Sequence, residues 1–215
     1  MLVLGIETAT DVCSVGLVEA DQDLAEMTLL RPRGHGARLA GLIQAALEAA
    51  GAEASDLDAV AVSAGPGSYT GLRIGVSTAK GLCLATGSSL VAVPTLAALA
   101  RASASDTRVL TALPSRRGEV YAAVYEPDGN VIREPTALAL SDLGDWLPEA
   151  DDLAVTGPAA QSVRDAVTRE MRPVKARPSG LMIARMGHVF TRAGETVDVT
   201  AFEPEYLKPF VSGGA

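Results

Sequence analysis

A strand-to-helix junction in the first half of the chain constrains its fold more than any other stretch. Between residues 57 and 75, an apolar run breaks into a Gly-Pro-Gly turn and then opens into a helical pattern. Pro66 has no backbone N–H and a fixed φ, while Gly65 and Gly67 allow the main chain to turn tightly. These residues predict a tight strand-to-helix turn.

The start of this helix is also a candidate anion site. Ser68 or Thr70 can cap its free amides, and its unpaired N–H groups and its macrodipole point in the same direction. The glycines are one residue too far apart for a GxGxxG dinucleotide motif, and no Gly-Lys-Ser/Thr ending of a Walker A loop is present. Two interpretations stay open, a structural turn and a contact with an anion or a partner.

Glu7 closes the first predicted strand and also has two interpretations. Beside Thr8 and Thr10, it can serve as the acid of a metal-nucleotide site, or it can be a turn acid held by hydrogen bonds. The candidate contacts for a nucleotide, an anion or a complex are Glu7, Thr8, Gly65, Gly67, Ser68, Thr70 and Arg73.

The helix predicted over 68–86 is apolar on nearly every side. Its core face contains Leu72, Val76 and Cys83, and its only charged residues are Arg73 and Lys80. Such a helix must be covered on more than one side, and its repeated glycines favour a second helix that approaches closely. That second helix belongs either to this chain or to a partner chain.

A second helix, predicted over 35–50, also has a core face and a separate outer face. Its leucines follow the i, i+3, i+4, i+7 pattern of a core face, and small residues recur every fourth position on the far side. Two helices with low-profile outer faces beside one strand predict association between chains. The candidate interface residues are His35, Ala37, Gly41, Ala45, Gly71, Ile74, Gly75, Thr78 and Leu82.

The order of elements predicts two lobes, 1–103 and 104–215. Each begins with three short β-rich runs and continues with alternating helix and strand, although no residue-level repeat is visible. The polar break ASASDT marks the boundary, and the two prolines of the FEPEYLKPF tail predict irregular structure.

Composition limits the partners and the location. A net charge of -8 argues against a broad basic surface that grips RNA unaided, so a partner is expected to hold any RNA. Cys13 and Cys83 are expected to be reduced core residues, which fits a cytoplasmic protein. The N-terminal MLVLGIE predicts a strand and not a signal peptide, and the uncharged stretch 81–100 is divided by Gly87 and Pro94, so we expect no membrane span.

Several stretches together resemble the bacterial TsaB family, also called YeaZ, over essentially the full length. They are GIETATDVCSVGL, RGHGARLAGLI, AVSAGPGSYTGLRIGVSTAKGL, RRGEVYAAVY and PEYLKPF. The third of them is the most specific. The resemblance implies the duplicated two-lobe α/β fold of the actin, sugar kinase and heat-shock chaperone superfamily, which is ribonuclease H-like with a mixed sheet in each lobe.

The resemblance also implies a non-catalytic subunit of the machinery that makes threonylcarbamoyladenosine in tRNA, next to the anticodon. The family's subunit pairs with a catalytic paralogue, TsaD, is joined by a small ATPase, TsaE, and can form a homodimer when the paralogue is absent. The resemblance implies that the chain contacts tRNA only through the complex. No cofactor is expected in the isolated chain, and ATP or ADP is expected only at an inter-subunit surface.

The chain departs from the family pattern at two places. Leu113-Pro114-Ser115-Arg116 replaces the usual Asp-Ala-Arg before GEVY, which removes an acid from that turn. Glu7 stands where the family usually has Asp, which weakens any inference of nucleotide binding.

Two enzymatic alternatives remain. A glycoprotease-like peptidase needs a metal pair or a nucleophile, but the only histidines, His35 and His188, lie far apart and no GxSxG elbow occurs, so no metal site is expected. A small-molecule kinase or ATPase of the same fold needs an acid for the metal-nucleotide and a phosphate-binding turn in each lobe.

Overall fold

Two five-stranded mixed sheets form the centre of the molecule, as seen in a computed structural model that describes residues 1–20, 22–30, 34–150 and 152–208. The first half contains β1 (Leu2–Glu7), β2 (Cys13–Glu19), β3 (Gln22–Leu29), α1 (His35–Ala50), β4 (Ala59–Gly65), α2 (Tyr69–Thr86), β5 (Ser89–Pro94) and α3 (Thr95–Ser103). The second half contains β6 (Arg108–Pro114), β7 (Glu119–Tyr125), β8 (Val131–Ala139), α4 (Leu143–Trp146), β9 (Leu153–Thr156), α5 (Ala160–Ala166), β10 (Arg172–Pro173) and α6 (Gly180–Arg192).

The two sheets share one connectivity. The first has the strand order β3-β2-β1-β4-β5, and the second has the order β8-β7-β6-β9-β10. In each, the first three strands form an antiparallel meander, and the last two add in parallel after helical crossovers. The duplicated two-lobe α/β fold with a mixed sheet in each lobe is therefore confirmed.

Helices cover both faces of the first sheet. The apolar faces of α1 and α2 pack on one side, where Leu39, Ile43 and Val76 join the core side chains of β1 and β4. On the other side lies α6, whose backbone presses against β1 and β2 because Gly5 and Gly16 carry no side chain. A Cβ on either glycine would clash with the main chain of α6.

The lobes exchange a helix, which differs from the predicted lobes 1–103 and 104–215. Although α3 belongs to the first half, its Leu96 and Leu99 pack on β6 and β7 of the second sheet. In return, α6 of the second half covers the first sheet. The two helices touch each other between the sheets, with Ala98 and Ile183 in one apolar cluster, so each half supplies part of the other's core.

One further expectation, that of buried and unpaired cysteines, is met within the described residues. Cys13 and Cys83 are both buried and are not joined in a disulfide. No helix in the described ranges combines the length and the apolar character that crossing a bilayer requires.

Candidate partner surface and interlobe cleft

Gly71 and Gly75 of α2 face the interior of this chain. A Cβ on Gly71 would overlap the carbonyl oxygen of Thr8, and a Cβ on Gly75 would overlap the Thr8 hydroxyl. Thr8 is fully buried and donates its hydroxyl hydrogen to the Gly71 carbonyl at 2.8 Å. The prediction that these two glycines belong to a partner interface is therefore wrong, because they bring α2 close to the end of β1.

Other predicted interface residues lie between α1 and α2. Ile74, Thr78 and Leu82 are half-buried along the α1 side of α2, and a Cβ on Gly36 would lie 3.6 Å from Ile74 Cδ1. His35 is 9% exposed, and its Nε2 lies 3.3 Å from the Val12 carbonyl oxygen. His35 is thus mainly an internal residue, in contrast to its predicted place at the interface.

The outer faces of α1 and α2 remain uncovered by the described part of the chain. Ala37 and Gly41 are exposed on α1, and Ala45 is half-buried beside them. On α2, Gly81 is exposed and Leu84 is 68% exposed. We call these five residues the partner surface. Leu84 was not predicted to lie at the interface. Its position opposite the core face of the helix could have indicated an exposed apolar residue there.

A cleft of about 410 Å³ opens between the two sheets. Its walls are the β1–β2 turn (9–12), the β4–α2 turn (66–69), the β6–β7 turn (113–116), Pro158 and the chain segment 205–208. The β1–β2 turn and the β6–β7 turn occupy equivalent positions in the two sheets. The β4–α2 turn and Pro158, which follows β9, are also equivalent. The duplication therefore places matched turns on opposite sides of the cleft.

The matched Gly-Pro turns are a residue-level repeat that the sequence analysis overlooked. Gly65 ends β4 and is followed by Pro66, and Gly157-Pro158 follows β9. Both glycines have positive φ, 119° and 103°, and a side chain on either would clash with a neighbouring carbonyl oxygen. Each turn thus needs glycine for the backbone conformation and for a close approach.

Two of the N–H groups that could bind an anion at the start of α2 already form hydrogen bonds within the chain. The Ser68 N–H donates to the Ala9 carbonyl at 2.7 Å, and the Ser68 hydroxyl accepts from the Gly71 N–H at 3.2 Å. Gly67 and Ser68 line the cleft, as an anion contact would, whereas Thr70 and Arg73 are exposed and do not line it. The turn interpretation therefore accounts for the hydrogen bonds that these groups make.

Glu7 is a buried turn acid. Its Oε1 accepts the Ala9 N–H at 2.7 Å, and the side chain is 1% exposed and lines no part of the cleft. Burial raises the pKa of Glu7 to about 7, although hydrogen bonds from the Ala9 backbone and the Ser63 hydroxyl act in the opposite direction. This geometry favours the turn interpretation over a metal-nucleotide acid, and Thr8 and Gly65 are likewise buried outside the cleft.

The C-terminal segment, residues 197–208, crosses from the first sheet to the second along the cleft. Its Glu205 N–H donates to the Ala64 carbonyl at 2.7 Å, and the Tyr206 ring packs against Tyr69 with centroids 4.8 Å apart. Lys208 then forms an ion pair with Glu119 of β7. The segment is irregular, as predicted, but its position as a connection between the lobes was not predicted.

Replacing Tyr206 by alanine should loosen this connection. Because an aromatic pair contributes about 1 kcal/mol beyond its buried area, we expect the Glu205 amide to exchange its hydrogen about five- to tenfold faster. Hydrogen exchange followed by NMR or mass spectrometry measures this rate. The variant Leu84→Ala, which changes an exposed side chain of α2, should leave the Glu205 amide unchanged; equal rates in all three proteins would contradict the role given to Tyr206.

Metal ligands do not cluster in the described ranges, where no group of three or more His, Cys, Asp or Glu side chains comes together.

The turn that departs from the family pattern, 113–116, lines the cleft. The Ser115 hydroxyl there is buried and has no hydrogen-bond partner among the described residues.

Comparison with known proteins identifies the family. The chain is 34% identical to the tRNA threonylcarbamoyladenosine biosynthesis protein TsaB of Escherichia coli, over 97% of this chain and 95% of that protein. The chain belongs to the TsaB family. A family model described as TsaD, tRNA N6-adenosine threonylcarbamoyltransferase, also matches residues 30–202. The transferase of Solidesulfovibrio magneticus is 34% identical over 70% of this chain, but the match spans only 43% of that enzyme.

Solved structures agree with membership of the TsaB family. YeaZ from Pseudomonas aeruginosa superposes with a TM-score of 0.85 at 27% identity, covering 96% of this chain and 99% of that one. A ROK hexokinase from Thermus thermophilus superposes with a TM-score of 0.53 at 13% identity, covering 89% of this chain and 100% of that one. The second likeness shows the shared fold alone.

Proposed function

We propose that this TsaB-family chain is a non-catalytic partner subunit in the synthesis of threonylcarbamoyladenosine in tRNA, next to the anticodon. The observation that carries the proposal is the match to E. coli TsaB over nearly the whole of both chains. The partial match to transferases supports a related but different role, because this chain corresponds to less than half of the S. magneticus enzyme.

The partner surface is where the proposed pairing takes place. Its members are small or apolar, and nothing lies within 4 Å of a Cβ built on Gly41 or Gly81. Small residues allow the backbones of two helix pairs to approach closely, and the exposed Leu84 supplies apolar area for burial. The proposed occupant is the catalytic paralogue TsaD, and a second copy of this chain takes its place when the paralogue is absent.

Other parts of the proposed complex lie outside this chain. The small ATPase TsaE joins the pair, and ATP or ADP binds at an inter-subunit surface. The net charge of -8 supports contact with tRNA through the complex, since phosphate binding depends on Lys and Arg side chains that partners would supply.

Arginine at Gly41 or Gly81 should prevent the pairing without unfolding the chain. Both positions are helical and open to solvent in the single chain, so the side chain is tolerated there, whereas in a close helix–helix contact it buries a charge and prevents the approach. We expect each variant to bind TsaD at least about tenfold more weakly, which corresponds to about 1.4 kcal/mol or more. Titration calorimetry with purified TsaD, and solution mass of the mixture, measure this.

The matched control is Gly144→Arg, since Gly144 is also exposed, also helical and lies on α4 against the second sheet. It should pair as the parent chain does. If Gly41→Arg and Gly81→Arg also pair normally, the interface lies elsewhere; if the parent chain itself does not bind TsaD, the proposed function is wrong.

A further inference from the structure

A second apolar surface lies on the opposite face of the first sheet from α1 and α2. There the half-buried Met182, Met186 and Phe190 of α6 pack at the edge of the apolar cluster that α6 forms with the sheet and α3. Val189 is 61% exposed. These four side chains form the floor of a hollow of about 400 Å³, whose remaining lining is Arg101 and Arg185.

On one side the hollow borders another of about 370 Å³, which shares Arg101, Met186 and Phe190 with it and is also lined by Glu134 and Glu205. On the other side it continues into one of about 280 Å³, which shares Met182 and Arg185 with it and adds Lys175 and Arg177. We call the hollows of about 400 Å³ and 280 Å³ together the α6 groove. Its rim is cationic in a chain of net charge -8, and no carboxylate of the described residues lines either hollow. The sign of the rim is therefore opposite to that of the chain as a whole.

The charges of this rim are only partly neutralised. Arg185 pairs with Asp23, and Arg177 lies 3.9 Å from Glu26. Arg101 and Lys175 form no ion pair with the described part of the chain. Two cations at the groove thus remain available to an anionic ligand.

We propose that the α6 groove is a docking site for an acidic amphipathic helix of a partner protein, separate from the partner surface on α1 and α2. The apolar floor matches one face of such a helix, and the cationic rim matches acidic residues that flank this face. The thirteen residues of α6 extend about 20 Å, the length of about three to four helical turns. Methionine side chains adapt their shape to a ligand, which suits a floor that contains two of them.

The floor distinguishes a protein ligand from a nucleic acid. Phosphate and sugar groups would leave Val189 and the exposed parts of Met182 and Met186 without apolar contact, whereas leucine-type side chains would bury them. A strip of cations beside several exposed aromatic rings would favour RNA, but the lining here has one ring, the half-buried Phe190, beside three aliphatic or thioether side chains. The observations therefore favour an acidic, amphipathic protein segment.

A synthetic peptide tests this proposal on the full chain. The probe is a fluorescein-labelled helical peptide of about 14 residues with leucine at i, i+3, i+4 and i+7 and glutamate on its other faces. Fluorescence anisotropy should detect saturable binding, and the same peptide with lysine in place of glutamate should bind at least tenfold more weakly. Val189→Glu and Arg101→Glu should each weaken binding of the acidic peptide at least tenfold.

Leu30→Glu, just after β3, is the matched control, because it adds the same charge at an exposed apolar position outside both the groove and the partner surface. It should leave peptide binding unchanged. Circular dichroism of each variant verifies that it is folded. All measurements use the isolated chain, so they are independent of whether TsaD binds the partner surface.

Several results would overturn the proposal. No saturable binding, or equal binding by parent, Val189→Glu and Arg101→Glu, would show that the groove is not the docking site. Tighter binding of a tRNA probe that these two substitutions abolish would assign the groove to RNA. A dimer that Val189→Glu dissociates would assign it to a second copy, and peptide binding that requires removal of residues 209–215 would assign it to this chain's own C-terminus.

Discussion

Gly71→Ala is expected to destabilise the fold by at least about 3 kcal/mol, at the upper end of what overpacking costs. The usual effect of this substitution in a helix is a gain of about 1 kcal/mol, because alanine has the higher helix propensity. The sign reverses here since the new methyl group would overlap the main-chain carbonyl of Thr8, which cannot rotate away. Urea unfolding followed by circular dichroism measures the change.

Gly81→Ala is the control that shows the effect of helix propensity in the absence of a clash. Nothing lies within 4 Å of a Cβ at Gly81, so this substitution should stabilise the chain by up to about 1 kcal/mol. The two alanine variants of the same helix should therefore move in opposite directions. A Gly71→Ala protein as stable as the parent would contradict the close approach of α2 to β1.

Gly75 keeps the comparison informative if Gly71→Ala does not fold. Its Cβ would meet the Thr8 hydroxyl, and removal of that hydroxyl in Thr8→Ala should relieve the clash. We expect Gly75→Ala to cost at least about 1 kcal/mol less in the Thr8→Ala background than in the parent. Additive effects of the two substitutions would show that the side chains do not meet.

These glycines also show where sequence reasoning reached its limit. The pattern of α2 predicted that a second helix approaches it closely, but the element that approaches Gly71 and Gly75 is the end of β1. It could not distinguish a partner helix from the end of β1, because a glycine is compatible with either and Thr8 is distant in sequence. Gly41 and Gly81, whose surroundings are open, were the better indicators of the outer face.

The order and limits of the elements were predicted more successfully than their packing. Alternation of apolar residues and turn signals depend on near neighbours, so the three-strand runs and the helices over 35–50 and 68–86 could be predicted. The exchange of α3 and α6 between sheets depends on contacts between distant parts of the chain. The glycines that admit α6, Gly5 and Gly16, gave no local signal of what would cover them.

Glu7 should make the stability of the chain fall as the pH rises from about 5 to 7. Burial raises the pKa of Glu7 from 4.5 to about 7 in the folded state, so between these values the folded chain binds a proton that the unfolded chain has released. Stability from this group is thus fully present below pH 4.5 and is lost as the pH passes through 7. The loss amounts to about 3 kcal/mol and is complete above the folded pKa.

Glu7→Gln isolates this contribution, because glutamine does not titrate and its side-chain oxygen can still accept the Ala9 N–H. The variant should match the parent at pH 4 and exceed its stability by about 3 kcal/mol at pH 8. Urea unfolding at intervals across this range gives the difference, and Glu19→Gln, at an exposed position of β2, should run parallel to the parent. Since other titrating groups are common to all three proteins, they cancel in the difference, and a Glu7→Gln curve parallel to the parent would show that Glu7 is ionised in the folded state throughout.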